Sequence, residues 1–209
     1  MLKQIARQFL PKFIRRNAKA ISDQRALKRW QASGRPSPPP HIVKQLAIKE
    51  YHAQYGCGIL VETGTFLGDM VDVQKGVFTK VISIELGKDL YEKAKLRFKS
   101  DSNVELHQGD SGQVLPHIMK SLDQSAIFWL DGHYSAGITA RGEKDCPIFE
   151  ELDAILKDKK HDHVLLIDDA RCFVGQGDYP TIERLTEYIR NYDPRYSVHV
   201  ENDIIRYTV

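Results

Sequence analysis

The sequence predicts an α/β fold: a doubly wound, mostly parallel seven-stranded sheet with an antiparallel C-terminal hairpin. Three observations carry that expectation. Short apolar runs alternate five times with helix-like segments beyond residue 59, the pattern of strands joined by helical crossovers. Each of the first five runs closes on an acid: Glu62, Glu85, Asp110, Asp131, and Asp168 with Asp169. The last two runs, Ser197 to Val200 and Ile204 to Thr208, flank Asn202-Asp203, a tight-turn pair.

The elements follow in order. Leu2, Ile5, Phe9, Leu10, Phe13 and Ile14 recur at helical spacing among Lys and Arg, and Pro11 kinks that helix or begins a second one. Gly34 to Pro40 is a stiff, proline-rich joint. It divides a basic extension, residues 1–40, from the domain, residues 41–209. A helix follows whose face is Ile42, Val43, Leu46, Ala47 and Tyr51, with Gly56 suited to its C-terminal end. Ile59 to Val61 opens the sheet, and Asp69 to Phe78 reads as a helix. Val81 to Glu85 is the second strand, with a helix over about Lys88 to Phe98. Val104 to Gln108 is the third, followed by a helix through Leu115, Ile118 and Met119. Ala126 to Leu130 is the fourth, and its helix starts near Pro147, a favourable first helical residue. Val164 to Ile167 is the fifth, and Pro180 opens the next helix.

Composition narrows the function classes. The 209 residues suit one α/β domain plus an extension, and a net charge of +2 gives no global field for nucleic acid. The charge is uneven, however. Nine bases against Asp23 make Met1 to Trp30 +8, leaving −6 for the remainder. This tail suits peripheral contact with an acidic membrane surface, a presequence, or a helix packed on the domain or on a second subunit. Cys57, Cys146 and Cys172 are odd in number and far apart, which favours a reducing, cytoplasmic setting. No apolar run approaches the roughly 20 residues of a membrane span.

Chemistry concentrates after the first strand, in Glu62-Thr63-Gly64-Thr65-Phe66-Leu67-Gly68-Asp69. Glycine permits the bend and a close approach, and a helix N-terminus beyond it would attract an anionic group. The spacing is not that of a dinucleotide loop. Glu85 lies 21 residues past Gly64, near the spacing of a carboxylate that grips ribose hydroxyls. A nucleoside without a diphosphate is implied, and S-adenosylmethionine meets that description. Asp131, Asp168 and Asp169 end neighbouring strands, where three carboxylates with few cations nearby would need protons or a hard divalent metal. His161, His163 and Cys172 match no zinc spacing, and the two histidines read as surface residues before a strand. Tyr51, Tyr55 and Phe66 read as core or pocket wall.

These motifs resemble the class I S-adenosylmethionine-dependent O-methyltransferases, nearest the metal-dependent catechol type and the macrocin type. The resemblance runs from about Leu60 to Ala170 through Val61 to Gly68, Ile84-Glu85, Gly109-Asp110-Ser111, Leu130-Asp131-Gly132-His133 and Leu166 to Asp169. The run from Asp131 to Gly137 is also similar to an uncharacterised bacterial branch of that superfamily. The resemblance implies a Rossmann-like fold. It assigns Glu62, Gly64, Thr65 and Gly68 to the methionine half of the cofactor, Glu85 to the ribose, and Asp110 with Ser111 to the adenine. It further implies a divalent metal, Mg²⁺ first, on Asp131, Asp168 and Asp169. Tyr134 stands where the catechol type carries a lysine, which moves attention to His133 as the base, with Tyr134 and Lys144 behind it. The expectation is thus metal-assisted methyl transfer to a hydroxylated small molecule or sugar. A metal-dependent hydrolase and a catalytically silent nucleoside-binding module are the rivals, and a homo-oligomer is compatible with all three.

Overall fold

The computed structural model describes residues 12–132 and 146–209. Two helices, α1 (Lys12–Ala32) and α2 (His41–Tyr55), precede the sheet. Then follow β1 (Ile59–Thr63), α3 (Asp69–Gln74), β2 (Lys80–Glu85), α4 (Lys88–Phe98), β3 (Val104–Gln108), α5 (Ser111–Ser121) and β4 (Ala126–Leu130). The chain continues with α6 (Ile148–Leu156), β5 (Val164–Ile167), a 3₁₀ turn at Ala170–Cys172, α7 (Ile182–Tyr192), β6 (Ser197–Glu201) and β7 (Ile204–Thr208).

The seven strands form one sheet in the order β3-β2-β1-β4-β5-β7-β6. The first five are parallel, β7 runs antiparallel to β5, and β6 pairs with β7 at the edge. The hairpin closes on Asn202 and Asp203, both at positive φ, 53° and 64°, as a twist-matched two-residue turn requires. Side chains alternate across the sheet. Ile59, Val61, Phe128, Leu130, Leu165 and Ile167 face a core completed by α5, α6 and α7. Leu60, Val81, Ile127, Trp129 and Leu166 face the opposite core, under α2, α3 and α4. Covering both faces explains why the central strands are apolar throughout rather than alternating.

Three elements depart from the sequence pattern, and each departure bears on the site. Helix α2 is rotated from its expected face: Val43, Ala47 and Ile48 are buried, while Leu46 is 41 % exposed. Packing sets this phase. Gln74 of α3 donates to the Gln45 carbonyl at 3.0 Å, and Ile48 is fully enclosed. The rotation turns Lys44 toward the sheet edge. Helix α3 stops at Gln74 instead of reaching Phe78, because the chain tightens around Lys75-Gly76 so that Phe78 enters the core. Phe66, expected in a core or pocket wall, is 41 % exposed and has φ 49°.

Helix α1 packs on α2. Its anchor is Trp30, which is buried and donates from Nε1 to the Pro36 carbonyl at 2.7 Å, while Lys19 reaches Asp69 at 3.0 Å. Ile21, Arg25, Lys28 and Arg29 remain exposed. No helix among the described residues is long and apolar enough to cross a membrane. Truncating Trp30 removes both its apolar contact and its hydrogen bond. Trp30→Ala should lower the unfolding free energy in urea by about 3 kcal/mol, and an unchanged midpoint would show that α1 is not held by this residue.

Candidate active site

The six acids that close the first five strands gather at the carboxyl edge of the parallel strands, where the order reverses between β1 and β4. Strand register accounts for it: Thr63 pairs with Ile84 and with Leu130, and Leu130 with Ile167, so all four strands end level.

Gly64 has φ 86°, and a Cβ there would lie 2.5 Å from the Asp131 carbonyl oxygen. The β1 and β4 exits touch at this point, and only glycine permits it. Gly68, at φ 78°, is crowded by a neighbouring side chain instead. A Cβ would fall 2.7 Å from the Phe98 ring, so this glycine serves packing against α4. The helix-terminus attraction expected after the turn is also corrected. Helix α3 has six residues, its first turn holds Asp69 and Asp72, and those acids are paired with Lys19, Lys75 and Arg97. This turn does not offer a phosphate cradle.

Glu62 is 2 % exposed and accepts a 2.6 Å bond from the Ser83 hydroxyl, which is itself 2.6 Å from the buried Thr65 hydroxyl. Burial pushes the Glu62 carboxyl up to about 8, with the nearby Glu85 adding to the rise and Ser83 opposing it. Glu85, at the end of β2, is 6 % exposed. One of its oxygens takes the Phe66 N–H at 2.7 Å and the other the Gly87 N–H at 2.8 Å. The carboxylate thus fastens the turn after β1 to the exit of β2. Asp110 occupies the N-cap position of α5 without a side-chain capping bond. Ser111 is buried and donates to Glu151 at 2.6 Å.

The other half of the edge holds Asp131, Asp168 and Asp169. Asp168 is fully buried; its Oδ1 takes the Asp169 N–H at 2.8 Å, and its Oδ2 is held by the Lys44 ammonium. Asp169 sits at φ 55° and accepts from Arg171 at 2.7 Å and from Lys44 at 3.4 Å. Arg171 also pairs with Asp203. Asp131 keeps some exposed surface but lies deep among protein atoms. Desolvation first, and then the Asp168 charge, raise its carboxyl well above the ordinary range. Burial raises the Asp168 carboxyl as well, with Lys44 opposing the rise, so both members of this pair lie above the ordinary carboxylate range. Burial disfavours the Lys44 charge, yet Asp168, Asp131 and Asp169 together raise its pKa above the ordinary 10.5. The expected scarcity of cations is therefore corrected by Lys44 and Arg171. His133, Tyr134 and Lys144 lie outside the described residues.

Lys44, Ser83 and Glu151 are the site residues that motif reading passed over. The available signal for Lys44 was its place between apolar residues of an amphipathic helix, four before Ile48 and seven before Tyr51.

A second cluster lies at the opposite edge, before β5. Among the described residues, Asp158, His161 and His163 bring ligand atoms within 4.8 Å of one another. His163 is 2 % exposed, so it is not the surface residue its position suggested. Its Nδ1 accepts the Ala126 N–H at 3.2 Å, which leaves the proton on Nε2, facing Asp158 at 3.2 Å. A protonated Nε2 has no lone pair for a metal. The cluster instead ties the entrances of β4 and β5 together.

No family model matches the chain, and no curated protein matches it. Solved structures do. An O-methyltransferase from Bacillus cereus, in complex with S-adenosylhomocysteine, is 14% identical over 90% of each chain, with TM-score 0.55. The O-methyltransferase of tomaymycin synthesis from Streptomyces achromogenes, in complex with S-adenosylmethionine, is 15% identical, with TM-score 0.55 over 90% of this chain and 88% of that one. A methyltransferase from Podospora anserina, bound to S-adenosylhomocysteine, is 13% identical, with TM-score 0.55 over 96% and 97%. This chain shares its fold with these methyltransferases. At such identities the likeness speaks for the architecture.

The protonated Glu62 has a pH signature. The folded chain keeps a proton up to about 8 that the unfolded chain loses near 4.5. Its contribution to stability therefore falls as pH rises through that window. Urea unfolding of wild type and Glu62→Gln at pH 5 and pH 8 should show the variant gaining on the wild type at the higher pH. A constant difference between the two would mean that Glu62 ionises normally.

Proposed function

We propose that this chain is an S-adenosylmethionine-dependent O-methyltransferase acting on a hydroxylated small molecule or sugar. The carrying observation is Glu85, a nearly buried carboxylate at the end of β2 that is tied to the Gly64 turn of β1. A carboxylate accepts about four hydrogen bonds. Two are used by Phe66 and Gly87, and the remaining lone pairs suit the two hydroxyls of a ribose. Asp110, with no capping bond to satisfy it, suits a donor on the adenine side. Protonated Glu62 beside Ser83 and Thr65 gives the methionine end a polar floor without a second negative charge. The bound cofactor supplies an electrophilic methyl group on its sulfonium.

Gly64 and Gly68 keep the turn in shape beneath that cofactor. His133, two residues beyond Asp131, takes the proton of the acceptor hydroxyl, a task for which neutral imidazole is suited near pH 7. Asp131 stands at the mouth of β4 to orient that acceptor. The divalent metal expected on Asp131, Asp168 and Asp169 does not fit this arrangement. Both oxygens of Asp168 are taken, one by an ammonium, and Asp169 is shared by Arg171 and Lys44. The mechanism accordingly uses no metal. The exposed Arg25, Lys28 and Arg29 of α1 support, within the same proposal, peripheral contact of residues 1–40 with an anionic membrane surface.

Calorimetric titration with S-adenosylhomocysteine tests the cofactor. Glu85→Ala should weaken binding at least about tenfold, since each charge-assisted bond is worth about 1.5–3 kcal/mol. It should also lower stability, because Phe66 and Gly87 lose their acceptor; undiminished affinity would remove the assignment. For the base, His133→Ala should slow transfer about 10²–10⁴-fold with cofactor affinity unchanged. A fully active variant would place the base elsewhere.

A further inference from the structure

We infer that Lys44 occupies the position that a divalent cation would otherwise take among Asp131, Asp168 and Asp169, so that this centre is closed to metal. The inference rests on the methyltransferase reading for its consequence, but its evidence is independent of that reading.

The helix is built to deliver the lysine. Pro40 begins α2 in an extended conformation, and Val43, Ala47 and Ile48 pack it against the domain. The Gln74 side chain fixes the Gln45 carbonyl at 3.0 Å, and Gln45 lies 2.7 Å from His41. Those contacts set the helical phase, and the phase turns the Lys44 side chain inward, leaving it 15% exposed. Its ammonium then meets the fully buried Asp168 and reaches Asp169 at 3.4 Å. These two acids lie at the end of β5, next to the β4 end that carries Asp131.

The ammonium does part of what a metal does: it lets carboxylates lie together at a strand edge. It cannot do the rest. A lysine has three N–H donors and no vacant orbital, so it can neither chelate vicinal oxygens nor lower a hydroxyl's pKa as a bound metal does. Mg²⁺ or Mn²⁺ would need Asp168 Oδ2, and would have to displace an ammonium that two carboxylates hold. Acceptor selection in the proposed enzyme therefore does not require a vicinal diol, and a single hydroxyl suffices. Lys44 is on this view a positioning residue for the acids.

The test is Mn²⁺ titration of the full chain, followed by the electron paramagnetic resonance of the free ion. Wild type should show no binding at submillimolar Mn²⁺. Lys44→Ala and Lys44→Gln should each gain at least tenfold in Mn²⁺ affinity, and adding Asp168→Asn should remove the gain. Lys44→Arg, which restores the cation, should exclude Mn²⁺ again. A lysine with only a structural role would lower stability in these variants and leave Mn²⁺ affinity unmoved. Submillimolar binding by wild type that Asp168→Asn abolishes would overturn the inference, and so would a folded Lys44→Gln that gains no affinity. Parallel titration with S-adenosylhomocysteine keeps the two readings apart. Loss of nucleoside binding by wild type would refute the methyltransferase reading without touching the Mn²⁺ result.

Discussion

A parallel sheet whose first five strands point one way delivers their terminal carboxyls to a single edge, and like charges gathered there must be answered before the edge can bind anything. The chain answers them in three ways. Glu62 keeps its proton, held by burial and by the nearby Glu85 charge against the opposing Ser83 hydroxyl. Glu85 accepts from two backbone N–H groups. Asp168 and Asp169 are set against Lys44 and Arg171. Each answer draws on a different part of the sequence, so the edge is coherent only when α2, β2 and the segment after β5 are all in place.

Much of the architecture was legible because it depends on local pattern. The strand limits of β3, β4 and β5, the hairpin turn at Asn202-Asp203 and the C-terminal glycine of α2 follow from apolar runs and turn chemistry. The convergence of the acids followed from fold class. The partners of those acids did not, for a physical reason. Helical periodicity gives the existence of α2 but leaves its phase uncertain by about one residue. Only the contacts of Ile48 and Gln45 with the domain decide that Leu46 is exposed and Lys44 enclosed. A rotation that small separates a solvated lysine from one that neutralises the centre. The two glycines of the first turn show the same limit. Both have positive φ, yet Gly64 makes room for the Asp131 backbone and Gly68 for the Phe98 ring. A pattern of glycines cannot show which neighbour requires it.

The three answers also divide the edge by what they leave over. A protonated acid and a carboxylate engaged by backbone N–H groups retain lone pairs, so the β1–β2 half can still accept hydrogen bonds from hydroxyl and amino donors. On the β4–β5 half the acceptors of Asp168 are consumed, one by an ammonium and one by a backbone N–H. A ligand rich in hydroxyl donors is therefore drawn to one half and not to the other. The adenosine part of the proposed cofactor meets that asymmetry, because its ribose hydroxyls are donors and it has no charge that would need the cations. A nucleotide diphosphate would not: its negative charge would face Asp69 and Asp72 at the start of α3, where the available cations are already paired. The same electrostatics that let six acids share an edge thus favour one class of cofactor along it.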